Sequence, residues 1–298
     1  MLNIDLLKKY EKVYVIGHQN LDADSTFSSY ILSNILKYFK VNAEFAILDK
    51  NYQFVSDEKE LIHDYFNIEP KIINSSETSK LNFILVDHNS KLSSVIEGNI
   101  LGCVDHHSTN EKLPPNHFIG DYASTTAYIY EMYKDVYNFS DYEKLLISLA
   151  IVMDTKFLRT KRFKEIDAII LKELNSNLDI EKLRENYFRV NDFSLGVEIN
   201  FNLKKKLYQK HGVTIYTTYI DAYKQHFSML REYVDYLSKL EGDAILTWYE
   251  YDTSKTYCYV KSNDKIKYLE YDFIASRAND IIKDAFKWKM LKNGCFTI

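Results

Sequence analysis

The chain has 298 residues, 46% hydrophobic and 27% charged, a composition ordinary for a soluble globular protein and a length sufficient for two domains with a sizeable core. Its formal net charge of −4 comes from acidic and basic residues mixed along the chain. This excludes a broad basic nucleic-acid face or a polybasic membrane anchor, and leaves any anionic ligand to local groups or metals. Cys103, Cys258 and Cys295 are far apart with no CxxC pair, residues 1–12 lack a long apolar run, and no run nears the ~20 residues of a membrane span, so a reducing, cytoplasmic setting is expected.

The first predicted strand is the apolar run Val13-Tyr14-Val15-Ile16. It is followed by Gly17-His18-Gln19-Asn20-Leu21-Asp22-Ala23-Asp24-Ser25 and then by Phe27, Tyr30, Ile31, Ile35 and Tyr38, whose spacing of three and four predicts one helix face. A turn between strand and helix thus carries one imidazole and two carboxylates, ligand types that suit a divalent metal. Asp24 and Ser25 also suit a helix cap, and Asp24 alone reads more simply as a cap than as a ligand. Ala43–Leu48 predicts a second strand, and Asp57–Phe66 a helix.

Phe83-Ile84-Leu85-Val86 is a continuous apolar run of the kind found in parallel strands covered on both faces, and it ends in Asp87-His88-Asn89. Ile100–Val104 repeats the arrangement and ends in Asp105-His106-His107. Turn preference explains one such cluster but not three. In an open parallel sheet the carboxyl ends of the strands share one edge, so the clusters are expected to converge where ligands bind.

Ser124–Val136 predicts a helix opening on Ser124-Thr125-Thr126, residues that suit a cap or, with free backbone N–H groups, an anion site. Leu145–Met153 predicts a buried helix that delivers Asp154-Thr155, and Ile166–Leu174 a further helix after it. A domain boundary is placed near Tyr187–Leu195, giving expected domains 1–188 and 194–298. Beyond it, residues 202–209 read as a basic helix, Val213–Ile220 as a strand, and Ala222–Leu240 as helical. Ala244–Tyr251 and Thr256–Val260 suggest a hairpin around Asp252-Thr253-Ser254, and Ile274–Phe286 a last helix. The second half is therefore expected to be a smaller α/β unit with a mixed sheet.

GHQNLDADS (17–25), VDHN (86–89), VDHH (104–107) and LLISLAIVMDT (145–155) occur in that order. Together they resemble the DHH phosphoesterase superfamily, and within it most closely the manganese-dependent, family II inorganic pyrophosphatases. The resemblance implies an α/β fold with an N-terminal parallel-sheet metal-binding domain, helices on both its faces, a smaller C-terminal domain, and an active site in the cleft between them. It implies that His18, Asp22 and Asp87 bind one metal and that Asp24, Asp87, His106 and Asp154 bind a second, with Asp87 bridging. His107 would meet substrate phosphate, while Asp105 and His88 would support the ligands.

The implied cofactor is a pair of Mn²⁺ ions, with Co²⁺, Fe²⁺ or Mg²⁺ as substitutes, since mixed imidazole and carboxylate ligation favours Mn²⁺ over an all-oxygen Mg²⁺ site. Towards the C-terminus the family carries a phosphate-binding lysine, for which Lys204, Lys205 and Lys206 are equal candidates, and an Arg-Lys pair. Here that pair is Arg277 followed by Ala278, and an alanine cannot donate to phosphate. Leu21 and Ser90 depart from the family pattern without removing a ligand.

The expected activity is hydrolysis of inorganic pyrophosphate. The alternatives are a related phosphoesterase or exopolyphosphatase acting on polyphosphate or a small phosphorylated nucleotide, and, ranked below both, a non-catalytic phosphate-ligand-binding protein. The nucleotide branch is disfavoured because its Gly-rich C-terminal motif is reduced to Gly294. Expected partners are a small phosphorylated substrate and, by resemblance, a second copy in a homodimer; no membrane and no nucleic acid beyond very short oligonucleotides is expected.

Overall fold

The computed structural model describes residues 1–49, 53–54, 58–89, 96–107, 115–188, 190–210, 213–263 and 265–292. Asp57, Ser90 and the Asn293-Gly294-Cys295 stretch lie outside the described residues, as does the side chain of Ala278. The chain divides into two units, one of Met1–Leu158 with Arg162–Phe188 and one of Arg159–Lys161 with Arg189–Ile298. Among the described residues no helix is long and apolar enough to cross a membrane.

In the first unit the elements run α1 (Ile4–Leu7), β1 (Val13–Ile16), β2 (Asn20–Leu21), α2 (Ala23–Tyr38), β3 (Ala43–Leu48), β4 (Gln53–Phe54), α3 (Lys59–Tyr65) and β5 (Lys71–Ile73). They continue through β6 (Asn82–Val86), β7 (Asn99–Asp105), β8 (His117–Ile119), α4 (Thr125–Tyr133), α5 (Asp141–Asp154), α6 (Glu165–Leu174) and α7 (Ile180–Tyr187). Six strands form one sheet in the order β5-β3-β1-β6-β7-β8, all of them parallel. The chain builds outward from β1 in one direction, then returns to β1's other side to lay down β6, so the order reverses between β1 and β6. That reversal is where an open α/β sheet leaves a crevice at its carboxyl edge.

Burial on both faces explains why the central strands are unbroken apolar runs and not alternating ones. Val13, Val15, Ile84, Val86 and Val104 share a core with Phe27, Ile31, Ala127, Leu146 and Ala150 from α2, α4 and α5. The intervening residues Ile16, Phe83, Leu85 and Cys103 cluster on the opposite face with Ala46, Leu48, Ile73 and Ile96. Register then levels the strand ends: Ile16 pairs with Leu85, so His18 and Asp87 each stand two residues past a paired position. α5 starts from a capping box between Ser140 and Glu143, which fixes its first turn, and it ends on Asp154.

The second unit contains α8 (Val197–Leu203), β9 (Lys206–Lys210), β10 (Val213–Ala222), α9 (Leu230–Lys239), β11 (Ala244–Glu250), β12 (Lys255–Ser262), β13 (Lys265–Tyr271), a π-type turn (Arg277–Ile281) and α10 (Ile282–Lys292). Its sheet has the order β13-β12-β11-β10-β9. β10 and β11 are parallel and the other pairs antiparallel, so the sheet is mixed. The helix expected over residues 202–209 is not formed. α8 stops at Leu203, and Lys206–Lys210 pairs antiparallel with β10, because a cross-strand partner outweighs weak helix propensity in a short charged segment. β13 was not anticipated, and the last helix begins as a π-type turn.

Candidate metal centre

Each acidic or imidazole side chain at the carboxyl edge is placed by a local device. Gly17 has no side chain because a Cβ there would meet Ser25 Oγ at 1.9 Å, and the same hydroxyl accepts from the backbone N–H of His18 at 3.0 Å. Asp22 is the N-cap of α2, its carboxylate accepting from Ser25 N at 2.8 Å. Asp24 is not the cap. It lies in the first turn of α2, buried, and accepts from the backbone N–H groups of Thr125 at 2.6 Å and Thr126 at 2.9 Å. The helix start at Ser124-Thr125-Thr126 thus does hold an anion, a carboxylate of the same chain, while Ser124 caps α4 by accepting from Ala127 N.

Asp87 occupies the centre. It adopts a left-handed backbone conformation, φ +60°, uncommon outside glycine, and its side chain is 2% exposed. His18 Nε2 lies 3.1 Å from Oδ2 and His106 Nε2 3.3 Å from Oδ1, and the Thr125 hydroxyl donates to Oδ1 at 3.2 Å. His18 Nε2 is also 3.3 Å from Asp22, and His106 Nε2 is 3.5 Å from Asp154 and 4.0 Å from Asp24. Two ligand groups result, His18-Asp22-Asp87 and Asp24-His106-Asp154, with Asp87 reaching both.

His107 and Asp105 stand beside them. The buried Asp105 accepts from His107 N at 3.0 Å and from Asn89 Nδ2 at 2.8 Å, with His107 Nδ1 at 2.9 Å, so it orients the His107 ring. His88 has a different place. Its Nδ1 lies 2.8 Å from the Val86 carbonyl, and burial pushes its pKa down to about 4, so the ring is neutral.

The electrostatics are those of an uncompensated cluster. Burial, then the neighbouring Asp87 charge, pushes the Asp24 carboxyl well above the usual range; burial, then Asp24, does the same to Asp154. Burial would lower His18, but Asp22 and Asp87 outweigh it and hold the ring well above an ordinary imidazole. Burial likewise opposes protonation of His107, and Asp105 reverses this. For Asp87, burial raises the carboxyl, yet the adjacent His106 and His18 rings prevail and hold it low.

His106 tests whether cations fit this arrangement. Its Nδ1 lies 3.2 Å from the Tyr122 carbonyl, which makes Nδ1 the protonated nitrogen and leaves a lone pair on Nε2. That Nε2 is buried with no hydrogen-bond partner among the described residues, while oxygens of Asp24, Asp87 and Asp154 surround it. A lone pair facing three carboxylates is repulsive unless a positive charge lies between them, either a proton taken up by Nε2 or a metal ion. The donor set therefore fits divalent metals with mixed nitrogen and oxygen ligation.

The remaining expected residues lie in the second unit. Lys204 Nζ contacts the buried Asp221 at 2.5 Å, and its carbonyl accepts from Arg277 at 3.1 Å. Both cations lie over the Tyr219 ring, at 4.6 Å and 5.0 Å from its centroid. Lys205 lies over Tyr216, and Lys206 is a strand residue with an exposed side chain. Sequence reasoning missed Asp221, Thr125 as a partner of Asp87, and Arg162, whose guanidinium is 3.4 Å from Asp154. Neither Asp221 nor Arg162 sits in a spacing that singles it out, and Thr125 reads from the sequence only as part of a helix start.

A parallel sheet whose order reverses beside an Asp/His cluster defines an α/β domain with a candidate metal centre, and residues 12–155 match the family model described as the DHH family, N-terminal domain. That stretch, similar to the DHH family's N-terminal domain, lies wholly within the first unit. The chain is 28% identical over 173 residues to a probable manganese-dependent inorganic pyrophosphatase of Streptococcus thermophilus, covering 55% of this chain and 54% of that protein. It is 29% identical over 174 residues to the manganese-dependent inorganic pyrophosphatase of Bacillus subtilis, with the same coverage. These matches span about half the length of the curated relatives. The fold is also that of a Methanococcus jannaschii protein classed provisionally as a family II inorganic pyrophosphatase, at TM-score 0.70 and 19% identity over 92% of this chain and 98% of that one.

Proposed function

We propose that the chain is a two-metal phosphohydrolase that binds two Mn²⁺ ions and hydrolyses inorganic pyrophosphate to phosphate. The observation that carries this is Asp87, whose two oxygens face the two ring nitrogens of His18 and His106, as a bridging carboxylate must. His18, Asp22 and Asp87 would hold one ion, and Asp24, Asp87, His106 and Asp154 the other. Bound there, the pair supplies Lewis acidity, activating a water and drawing charge from phosphoryl oxygens.

The chain's own groups do the rest. The α4 N-terminus fixes Asp24 and the Thr125 hydroxyl fixes Asp87, so the ligands need little rearrangement when metal enters. Asp105 favours the protonated form of His107, and the half-exposed ring can donate to a phosphoryl oxygen. The names of the relatives support manganese and pyrophosphate as cofactor and substrate. Buried, unpaired Cys103 and Cys258 accord with a reducing, cytoplasmic setting.

The test is phosphate release with added Mn²⁺ from pyrophosphate, tripolyphosphate, a nucleoside 3′,5′-bisphosphate and a dinucleotide. Selective turnover of pyrophosphate is expected. Preference for another member of the set would overturn the substrate, and no release from any of them would overturn the enzyme.

A further inference from the structure

We infer that Arg162 is a substrate-binding residue of this centre, its guanidinium meeting a phosphate oxygen of a polyanionic substrate beside Asp154. The inference rests on the two-metal reading of the site and adds to it a group that the family motifs do not supply.

Charge balance is the first reason. The ligand groups contain Asp22, Asp24, Asp87, Asp105 and Asp154, and five carboxylates exceed the charge of two divalent cations by one, an excess that a protonated His107 does no more than cancel. A substrate with several negative charges gains no net attraction from such a centre unless local cations are added. The resemblance assigns one such cation to position 278, where this chain has alanine.

Geometry is the second reason. After α5 the chain turns through Lys156, Phe157 and Leu158, all left-handed with φ between +50° and +64°, and then returns Arg162 to the centre. Neighbouring cations are committed elsewhere. Arg159 donates to the Tyr251 carbonyl at 2.7 Å, Lys161 lies 3.5 Å from the centre of the Phe273 ring, and Lys164 pairs with Asp121. Arg162 faces Asp154 Oδ2 at 3.4 Å through one nitrogen, well beyond the ~2.7–2.9 Å of a tight charge-assisted bond. A guanidinium has five N–H donors, and this long single contact leaves most of the fork available. The side chain is 27% exposed while Asp154 is 13% exposed, so the group sits at the rim of the centre and is not sealed within it.

A purely structural role would look different in solution. A lock on Asp154 would act on metal affinity, whereas a substrate contact acts on anion affinity once metal is bound. The experiment measures both on the full chain, using Mn²⁺ binding from the free-ion paramagnetic resonance signal, and calorimetric binding of non-hydrolysable methylenediphosphonate to the Mn²⁺-loaded protein. Arg162→Gln is expected to weaken diphosphonate binding about tenfold or more while leaving Mn²⁺ affinity within about threefold, the loss of one charge-assisted contact. Arg162→Lys, which keeps the charge and loses the fork, should fall between the two.

Unchanged diphosphonate binding in Arg162→Gln overturns the inference, as does a loss confined to Mn²⁺ affinity. If that variant does not fold, Arg162→Lys decides, with weakening of about threefold or more supporting the contact and no change overturning it. Wild-type protein that binds no diphosphonate in the presence of Mn²⁺ overturns the underlying reading of the site, a result distinct from either.

Discussion

The two units treat buried charge in opposite ways. In the second, Asp221 is closed on all sides: Lys204 at 2.5 Å, the Tyr251 hydroxyl at 2.7 Å, and its own backbone N–H donating to Asn191 Oδ1 at 2.8 Å. In the first, burial and a neighbouring carboxylate push both Asp24 and Asp154 up, the neighbour being Asp87 for Asp24 and Asp24 for Asp154, and His106 Nε2 has no hydrogen-bond partner among the described residues. A satisfied network stabilises a fold and needs nothing more. A frustrated one, held in place by helix caps and strand ends, is evidence of a missing partner, because folding alone would not retain it.

The most severe way to test that contrast is Asp87→Ala, which removes the one carboxylate shared by both ligand groups. Metal-dependent hydrolysis should fall by roughly three orders of magnitude or more, and near-normal turnover would sink the two-metal assignment. The opposite pattern is expected at the satisfied network. Asp221→Ala leaves the Lys204 ammonium without its carboxylate and should cost about 3 kcal/mol, the lower end for a broken buried pair because Lys204 is partly exposed. Denaturant unfolding reads this loss, and Mn²⁺ affinity should not move with it. An equal loss of metal affinity would mean that the two networks are one.

The smallest effect belongs to the scaffold of the metal centre. Ser140→Ala removes the capping box of α5, the helix that ends on Asp154, and should cost about 1 kcal/mol in the same unfolding measurement. Catalysis should be unaffected, since the cap lies at the far end of the helix from the site. A drop in turnover beyond the stability change would show that Asp154 is less firmly placed than the first unit's packing indicates.

The first unit was largely legible in the sequence because its evidence is local. Phe83–Val86 and Ile100–Val104 are apolar throughout, and a strand of that kind is buried on both faces wherever it occurs; the Asp and His residues follow them directly. The second unit was less so. Lys206–Lys210 is polar enough to suit a helix face, and only its pairing with β10 makes it a strand. β13 carries Lys265, Lys267 and Glu270 at the edge of the sheet, where charge guards against further pairing and conceals the strand from an apolar pattern. Arg162 and Asp221 were invisible for a third reason. Each matters through a residue distant in sequence or across a turn whose path no propensity foretells.

That turn, from Lys156 to Leu158, has a bearing on how the centre is held. Left-handed backbone costs an L-residue of ordinary size roughly 1–2 kcal/mol, and here it is imposed on three in succession. Only contacts around it hold it: Phe157 N donates to the Val152 carbonyl at 2.7 Å, and Leu158 N to the Thr155 hydroxyl at 3.1 Å. A segment so strained and so lightly held is expected to open at lower cost than the sheet it follows. Asp87 and His106 each stand one residue past a central strand, β6 and β7, and share its anchoring. Arg162 is reached only across the turn, so local opening there is expected to free it from Asp154 without unfolding the domain.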